Sequence, residues 1–391
     1  MISNPALGVF FHWLGGLASA SFYVPYRGVK NWAWETYWLV GGFFSWIFAP
    51  WILALTMTKD LIPVLRQAPA GTLLWTYTFG ALWGLGGLTF GLTMRYLGMS
   101  LGMAIALGYT AAFGTLMPPI FRGVFVGQVL GTRSGLIVLG GIAICLLGIA
   151  FAGAAGLSKE REMSEVQKRA SIKEFNLKKG LLVATFSGVM SACFAYGLAS
   201  GDPIKAITLQ HGTAILWQGL PVLIIVLAGG FTTNFVWCVV LNIRNRTGYQ
   251  YFESEIRARV PRRNAEQILE PVTDAPAEEM AIAVAVAVAQ EEPRRSPMFS
   301  NYLFSAIAGT TWYMQFFFYT MGETQMGGYK FSSWTLHMAS IIIFSTLWGI
   351  ALHEWKGTGR RTKLLLAFSL LVLVTSTVVV GYGNYVGSQP R

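Results

Sequence analysis

Charged side chains are scarce in this 391-residue sequence. Asp, Glu, Lys and Arg supply 12% of it, where an ordinary soluble chain carries roughly a quarter. With 54% hydrophobic residues and a mean hydropathy of +0.51, that shortage excludes a water-soluble enzyme, a disordered chain and a soluble nucleic-acid binder. Cysteine is also sparse. Cys145, Cys193 and Cys238 lie in apolar runs without C-x-x-C or other ligand spacing, so they read as helix-packing residues and no disulfide framework or metal site is expected. No Lys or Arg precedes Arg27, so the apolar start lacks the basic region of a cleaved signal and reads as a retained first span. The chain has no P-loop, no H-E-x-x-H, no G-x-S-x-G and no paired aspartates suited to magnesium pyrophosphate chemistry. An ATP-driven pump or a membrane transferase is therefore disfavoured, and no cofactor is expected.

What is present is a series of long apolar segments. Ten reach the roughly 20 residues that a bilayer core demands, near 6–26, 37–57, 73–94, 99–121, 134–154, 180–200, 214–241, 300–321, 333–354 and 363–383. Charge collects between them: residues 154–179 and 242–298 together hold 15 Lys/Arg and 13 Asp/Glu. The odd-numbered connections carry 22 of the 29 basic residues, so those connections are expected in the cytoplasm and both termini in the periplasm. Residues 242–298 read as a mobile cytoplasmic insertion. The Ala/Val run from Ala281 is too short to span.

Two short echoes suggest internal duplication. Gly16 to Phe22 and Gly188 to Phe194 both fit G-x-x-S-A-x-F, while Gly80 to Trp83 and Gly309 to Trp312 both fit G-x-x-W. Each pair is offset by five helices, an odd number of crossings, which inverts the second unit relative to the first. The expected architecture is an all-α polytopic membrane protein of ten helices in two inverted repeats. Residues 1–154 form the first repeat, 155–179 a basic cytoplasmic linker and 180–391 the second repeat with its insertion.

Titratable residues inside spans are costly and therefore informative. His12 shares a helical stripe with Gly8, Gly15, Gly16, Ser19, Tyr23 and Tyr26, a small and polar face suited to the bundle interior. His337 aligns with Ser333, Trp334, Ser340, Ile341 and Ser345. Each histidine reads either as an interhelical packing group or as a site for sugar contact or proton handling. Glu323 closes the eighth segment and reads as a proton-vestibule group or as a solvated loop acid. Glu35 opens the second segment, where a carboxylate favours the helix dipole; it is a reserve proton-coupling candidate. Thr311, Trp312, Gln315 and Tyr319 share a face offering hydrogen bonds and an apolar ring surface, the chemistry of a neutral carbohydrate. Ser19 and Tyr23 join them as candidate substrate contacts, although membrane aromatics also serve as packing or belt residues. Asp202 and His211, in the sixth connection, have no assigned role.

The strings then resemble a known family. F-H-W at Phe11 to Trp13, S-F-Y-V-P-Y at Ser21 to Tyr26, W-A-W-E-T at Trp32 to Thr36 and G-L-T-M-R-Y-L-G-M-S at Gly91 to Ser100 are similar to the L-rhamnose–proton symporter family, within the drug/metabolite transporter superfamily. So are E-F-N-L-K-K-G at Glu174 to Gly180, W-Y-M-Q-F-F-F-Y at Trp312 to Tyr319 and S-W-T-L-H-M at Ser333 to Met338. The resemblance implies a ten-helix bacterial inner-membrane carrier that takes up L-rhamnose or a related monosaccharide with protons. It supplies no verified site positions, and it is looser over Gly201 to Gln218 and in the length of the insertion. Two other readings stand beside it: an exporter or exchanger of another metabolite, and a membrane sensor or scaffold working through residues 242–298.

Overall fold

Local chemistry sets the first helix. The Asn4 side-chain oxygen accepts from the Leu7 N–H at 3.2 Å and Pro5 takes the opening position, where its missing N–H costs nothing. The computed structural model describes residues 4–97, 99–162, 176–255 and 295–389. Helix α1 (Pro5–Ser21) is followed by the single turn α2 (Tyr23–Tyr26). Next come α3 (Trp34–Phe43), a π-helical stretch at Phe44–Phe48 and α4 (Ala49–Met57), which form one continuous rod. The widened turn sits just before Pro50, whose ring and absent N–H disturb the regular ladder. Helices α5 (Leu61–Gln67), α6 (Ala70–Leu97), α7 (Met99–Phe121) and α8 (Arg133–Glu162) complete the first half. The second half holds α9 (Leu177–Ser200), α10 (Asp202–Gln210), α11 (Leu220–Asn245), α12 (Met298–Thr324), α13 (Ser333–Ala351) and α14 (Arg360–Ser388).

The chain is a multi-pass α-helical membrane protein. Among the described residues, eight helical stretches are long and apolar enough to cross a bilayer. Helices α6 and α12, with 28 and 27 residues, are of spanning length but outside that set. Their sequences explain this: Thr72, Thr76, Tyr77 and Thr78 dilute the apolar character of α6, as Asn301, Thr310, Thr311 and Gln315 dilute that of α12. Outward positions such as Leu74, Leu182, Ile243, Leu371 and Val378 are exposed, as a lipid-facing surface requires. Cys145, Cys193 and Cys238 are buried and unpaired with one another.

The structure moves several expected boundaries. Helix α8 continues past residue 154 to Glu162, whose carboxylate accepts from the Gly359 N–H at 2.7 Å and the Thr362 hydroxyl at 2.6 Å. That ties the end of α8 to the start of α14. Residues 155–162 of the expected linker are therefore helix, and 163–175 lie outside the described residues. The seventh long segment begins at Leu220 rather than 214, because Pro221 suits only a first helical turn. The connection before it contains α10, which the hydropathy pattern did not reveal. Most of the expected insertion, residues 256–294, also lies outside the described residues. Its flanks are ordered, with the Ser296 N–H donating to the Ser254 carbonyl at 2.7 Å and Glu255 bridging Arg295 in antiparallel fashion.

Helix crossings are made close by glycine. A Cβ on Gly309 of α12 would fall onto the backbone of Gly41 in α3, and one on Gly80 of α6 onto the Val226 carbonyl of α11. Gly16 of α1 abuts Ser340 of α13, and Gly188 of α9 abuts Tyr109 of α7. Such approaches are how helices gain packing energy where lipid removes the hydrophobic drive. Gly309→Val should cost more than the ~1–3 kcal/mol of ordinary overpacking, because the atoms met are backbone and cannot rotate away. Thermal aggregation of detergent-solubilised protein measures this, and a variant as heat-resistant as the parent would show that α3 and α12 do not depend on the contact.

Candidate functional site

A buried polar cluster lies where α1, α12 and α13 meet. His12, Gln315, Tyr319 and His337 are all buried there. The Tyr319 ring stands edge-on to both imidazoles, with centroids 5.2 Å from His12 and 5.3 Å from His337. His337 Nε2 lies 3.4 Å from Gln315 Oε1, with the ring N–H donating in that tautomer. Glycines admit this closeness. A Cβ on Gly15 would sit 2.9 Å from the Gln315 carbonyl and 3.3 Å from the His337 ring, and one on Gly322 would sit 2.8 Å from His12 Nε2.

Several polar atoms in this cluster have no hydrogen-bond partner among the described residues: both ring nitrogens of His12, Nδ1 of His337 and the amide nitrogen of Gln315. A buried polar group without a partner costs about 1–3 kcal/mol, so such a concentration marks a place built to receive hydrogen bonds from something else. Imidazoles, a carboxamide and the flat face of Tyr319 together suit a neutral polyhydroxylated molecule, which needs donors, acceptors and an apolar ring surface. Among the described residues no group of His, Cys, Asp and Glu is arranged to hold a metal ion.

The expected carbohydrate face of α12 divides in two. Gln315 and Tyr319 join the histidines. Trp312, one turn earlier, packs its ring 4.3 Å from Phe22 and lines a small pocket with Tyr26, Trp38, Ser45, Trp46 and Gly309. Its indole nitrogen is buried without a partner among the described residues. Thr311 is half-buried beside it. Ser19 is buried on α1, while Tyr23 is 57% exposed, its ring tilted against Phe22 at 4.0 Å, and is not brought to the cluster.

The two carboxylates sit at opposite ends of α12. Glu35, 4% exposed, accepts from Asn245 Nδ2 at 2.9 Å and the Thr247 hydroxyl at 2.8 Å. It ties α3 to the end of α11, far along the bundle from the histidines. Glu323 lies one turn beyond Tyr319 and is no solvated loop acid. Its side chain is 13% exposed and pairs with Lys205 Nζ at 2.9 Å. Lys205 and Trp334 border this cluster; the sequence reading named neither as a candidate, although it set Trp334 on the face of His337. Trp334 donates its indole N–H to the Thr110 carbonyl at 2.9 Å and packs its ring on Tyr319 and His337. An acid and a base three apart directly after Gly201 were the available signal for α10 and Lys205. A cavity of about 550 Å³ between α7 and α8 is lined by Leu, Ile, Ala and Gly with Tyr109 alone carrying a polar side chain. It does not resemble a polyol site.

The fold is that of a multi-pass helical membrane protein with a buried polar cluster between three of its helices. The sequence model of the L-rhamnose-proton symport protein (RhaT) family matches residues 1–248 and 277–386, and the chain belongs to that family. Among curated relatives, the L-rhamnose-proton symporter of Mannheimia succiniciproducens is 34% identical over 96% of this chain and 97% of its own length. That of Pectobacterium carotovorum is 33% identical over 98% and 99%, and that of Klebsiella pneumoniae strain 342 is 34% identical over 96% and 97%. The family match leaves out residues 249–276, within the expected insertion.

Proposed function

We propose that this protein is a secondary transporter of the bacterial inner membrane that carries L-rhamnose, or a closely related deoxyhexose, inward together with protons. The observation that carries the reading is the buried His12, Gln315, Tyr319 and His337 cluster, in a chain nearly coextensive with relatives named for rhamnose–proton symport. The Gln315 amide and the imidazoles serve sugar hydroxyls, and the Tyr319 and Trp334 rings serve the sugar's C–H face and methyl group. The test is uptake of labelled L-rhamnose into proteoliposomes under an imposed pH gradient. Accumulation above the external concentration that collapses with a protonophore is expected. Sugar movement indifferent to the gradient would sink the symport reading.

The transport unit is a pair of inverted five-helix repeats, α1 to α8 and α9 to α14, with ten spans and alternating access to the enclosed site. The two sequence echoes support this because they meet equivalent partners. Phe22 touches Trp312 at 4.3 Å and Phe194 touches Trp83 at 5.0 Å. Gly309 meets the second long segment and Gly80 the seventh, while Gly16 meets the ninth and Gly188 the fourth. Advancing each partner by five helices exchanges one set with the other. With the basic residues concentrated in the odd connections, both termini face the periplasm. Alkaline phosphatase and fluorescent-protein fusions to the C-terminus check this: activity of the phosphatase fusion alone is expected, and a fluorescent C-terminal fusion would change the span count by one.

The insertion is dispensable for transport in this reading. Gln250 and Tyr251 are part of the body of the protein, since Gln250 Oε1 accepts from Ala33 N at 2.8 Å and the Tyr251 carbonyl accepts from the Tyr302 hydroxyl at 2.6 Å. Replacing residues 256–294 by an Asn-Gly turn joins Glu255 to Arg295 across a contact that already exists. Uptake should be unchanged. Lost uptake in a variant that inserts normally would assign the segment a regulatory role.

A further inference from the structure

We propose that Lys205 is a positioning residue for proton coupling: it competes with the proton for the Glu323 carboxylate, so that closing the α10 end of the site drives the proton inward. This rests on the symport reading above. The geometry is a relay of four charges. Arg122 Nη2 donates to Asp202 Oδ2 at 2.7 Å, Lys205 Nζ donates to Asp202 Oδ1 at 3.2 Å and to Glu323 Oε2 at 2.9 Å. Exposure falls along it, from 53% at Arg122 and 44% at Asp202 to 6% at Lys205 and 13% at Glu323. The outer members are largely open and the inner two largely enclosed.

The inner end of the relay touches the recognition cluster. Glu323 follows Gly322, against which His12 Nε2 packs, and stands four residues after Tyr319. The groups around Glu323 are Lys205 on α10 and, beyond it, Asp202 and Arg122, with Tyr319 one turn back on α12 and His12 of α1 packed at the preceding Gly322. The two cations and two anions of the relay balance. A lysine held at 6% exposure needs that balance, because a buried ion without its partner is strongly disfavoured.

In this proposal helix α10 moves as a unit. It follows the break at Gly201, and its far end is held by His211, whose ring nitrogens contact Asp60 at 3.1 Å and Gln67 at 3.3 Å near the exposed surface. When α10 swings out, Lys205 leaves with Asp202, and the Glu323 carboxylate takes a proton from outside water to become a neutral acid. When α10 returns, the ammonium re-forms its pair only if Glu323 gives up that proton. The adjacent His12 imidazole accepts it and passes it on toward the opposite side. One carboxylate thus holds either Lys205 or a proton, and the alternation links closure to proton movement.

Lys205→Met and Glu323→Gln, assayed in proteoliposomes beside the wild type, test this. Wild-type accumulation under a pH gradient comes first, since its absence would defeat the symport reading and not the role of Lys205. Lys205→Met should retain sugar counterflow while losing pH-driven accumulation, and Lys205→Arg should restore accumulation. Glu323→Gln, isosteric and permanently neutral, should exchange sugar at a rate that no longer varies with pH. If Lys205→Met fails to insert, the Glu323→Gln pH profile alone decides. A clasp with only a structural role would lower counterflow and accumulation together and leave the pH profile unchanged. That result, or full accumulation by either variant, overturns the proposal.

Discussion

Gln315→Ala should weaken sugar binding by about 1–3 kcal/mol, the cost of an unmade buried hydrogen bond, or roughly 5- to 140-fold in Kd. The carboxamide contributes on two sides. Its oxygen lies 3.4 Å from His337 Nε2, so truncation leaves an imidazole nitrogen without its neighbour. Its nitrogen is buried with no partner among the described residues, and in the proposed site a sugar hydroxyl is its acceptor. A carboxamide does not titrate near neutrality, so the ratio of sugar to proton carried should survive. Isothermal titration of the detergent-solubilised variant measures the first effect and proton uptake on sugar addition the second. Unaltered affinity would remove Gln315 from the site.

The second large effect concerns the histidines. His12→Gln and His337→Gln keep hydrogen-bonding groups of similar reach but remove the imidazoles, the side-chain type whose unperturbed titration lies nearest physiological pH. Sugar exchange between equal internal and external pools should persist in both. Accumulation driven by a pH gradient should disappear in at least one. His12 is the stronger expectation, because its two ring nitrogens have no partner among the described residues and it lies against Gly322, beside Glu323. Two variants that both concentrate sugar against its gradient would make the imidazoles packing groups and leave Glu323 as the carrier of the proton.

The membrane class of the chain was legible without coordinates because bilayer thickness imposes a length and a composition on each crossing. The small and polar stripe on α1 was legible for a related reason: such a stripe is intolerable toward lipid and points inward. His12 and His337 therefore stood out from one dimension alone. Tyr23 did not follow. It shares the stripe of His12 by helical spacing, but eleven residues of helix carry it about 16 Å further along, where it packs on Phe22 and not on the cluster.

The charged residues show the opposite limit. Hydropathy treats Glu323, Lys205 and Asp202 as loop residues, since a window average cannot distinguish a wet connection from a short helix folded back against the bundle. Pairing across 118 positions buries Lys205 beside Glu323, and no periodicity encodes a contact at that separation. Trp312 and Gln315 differ similarly, three residues apart on α12 yet one in an aromatic pocket and the other beside an imidazole.

By itself the sequence determined that this is a membrane chain, where its long helices lie and which few polar side chains their interior tolerates, because lipid penalises every exception locally. Only the tertiary structure decided which of those side chains meet. Helix crossing angles and glycine contacts bring His12, Gln315, Tyr319 and His337 together, leave Glu35 at the far end and turn Glu323 and Lys205 into a buried pair. The physical reason is that solvation acts on each residue where it stands, whereas a site is assembled from distances between residues far apart in the chain.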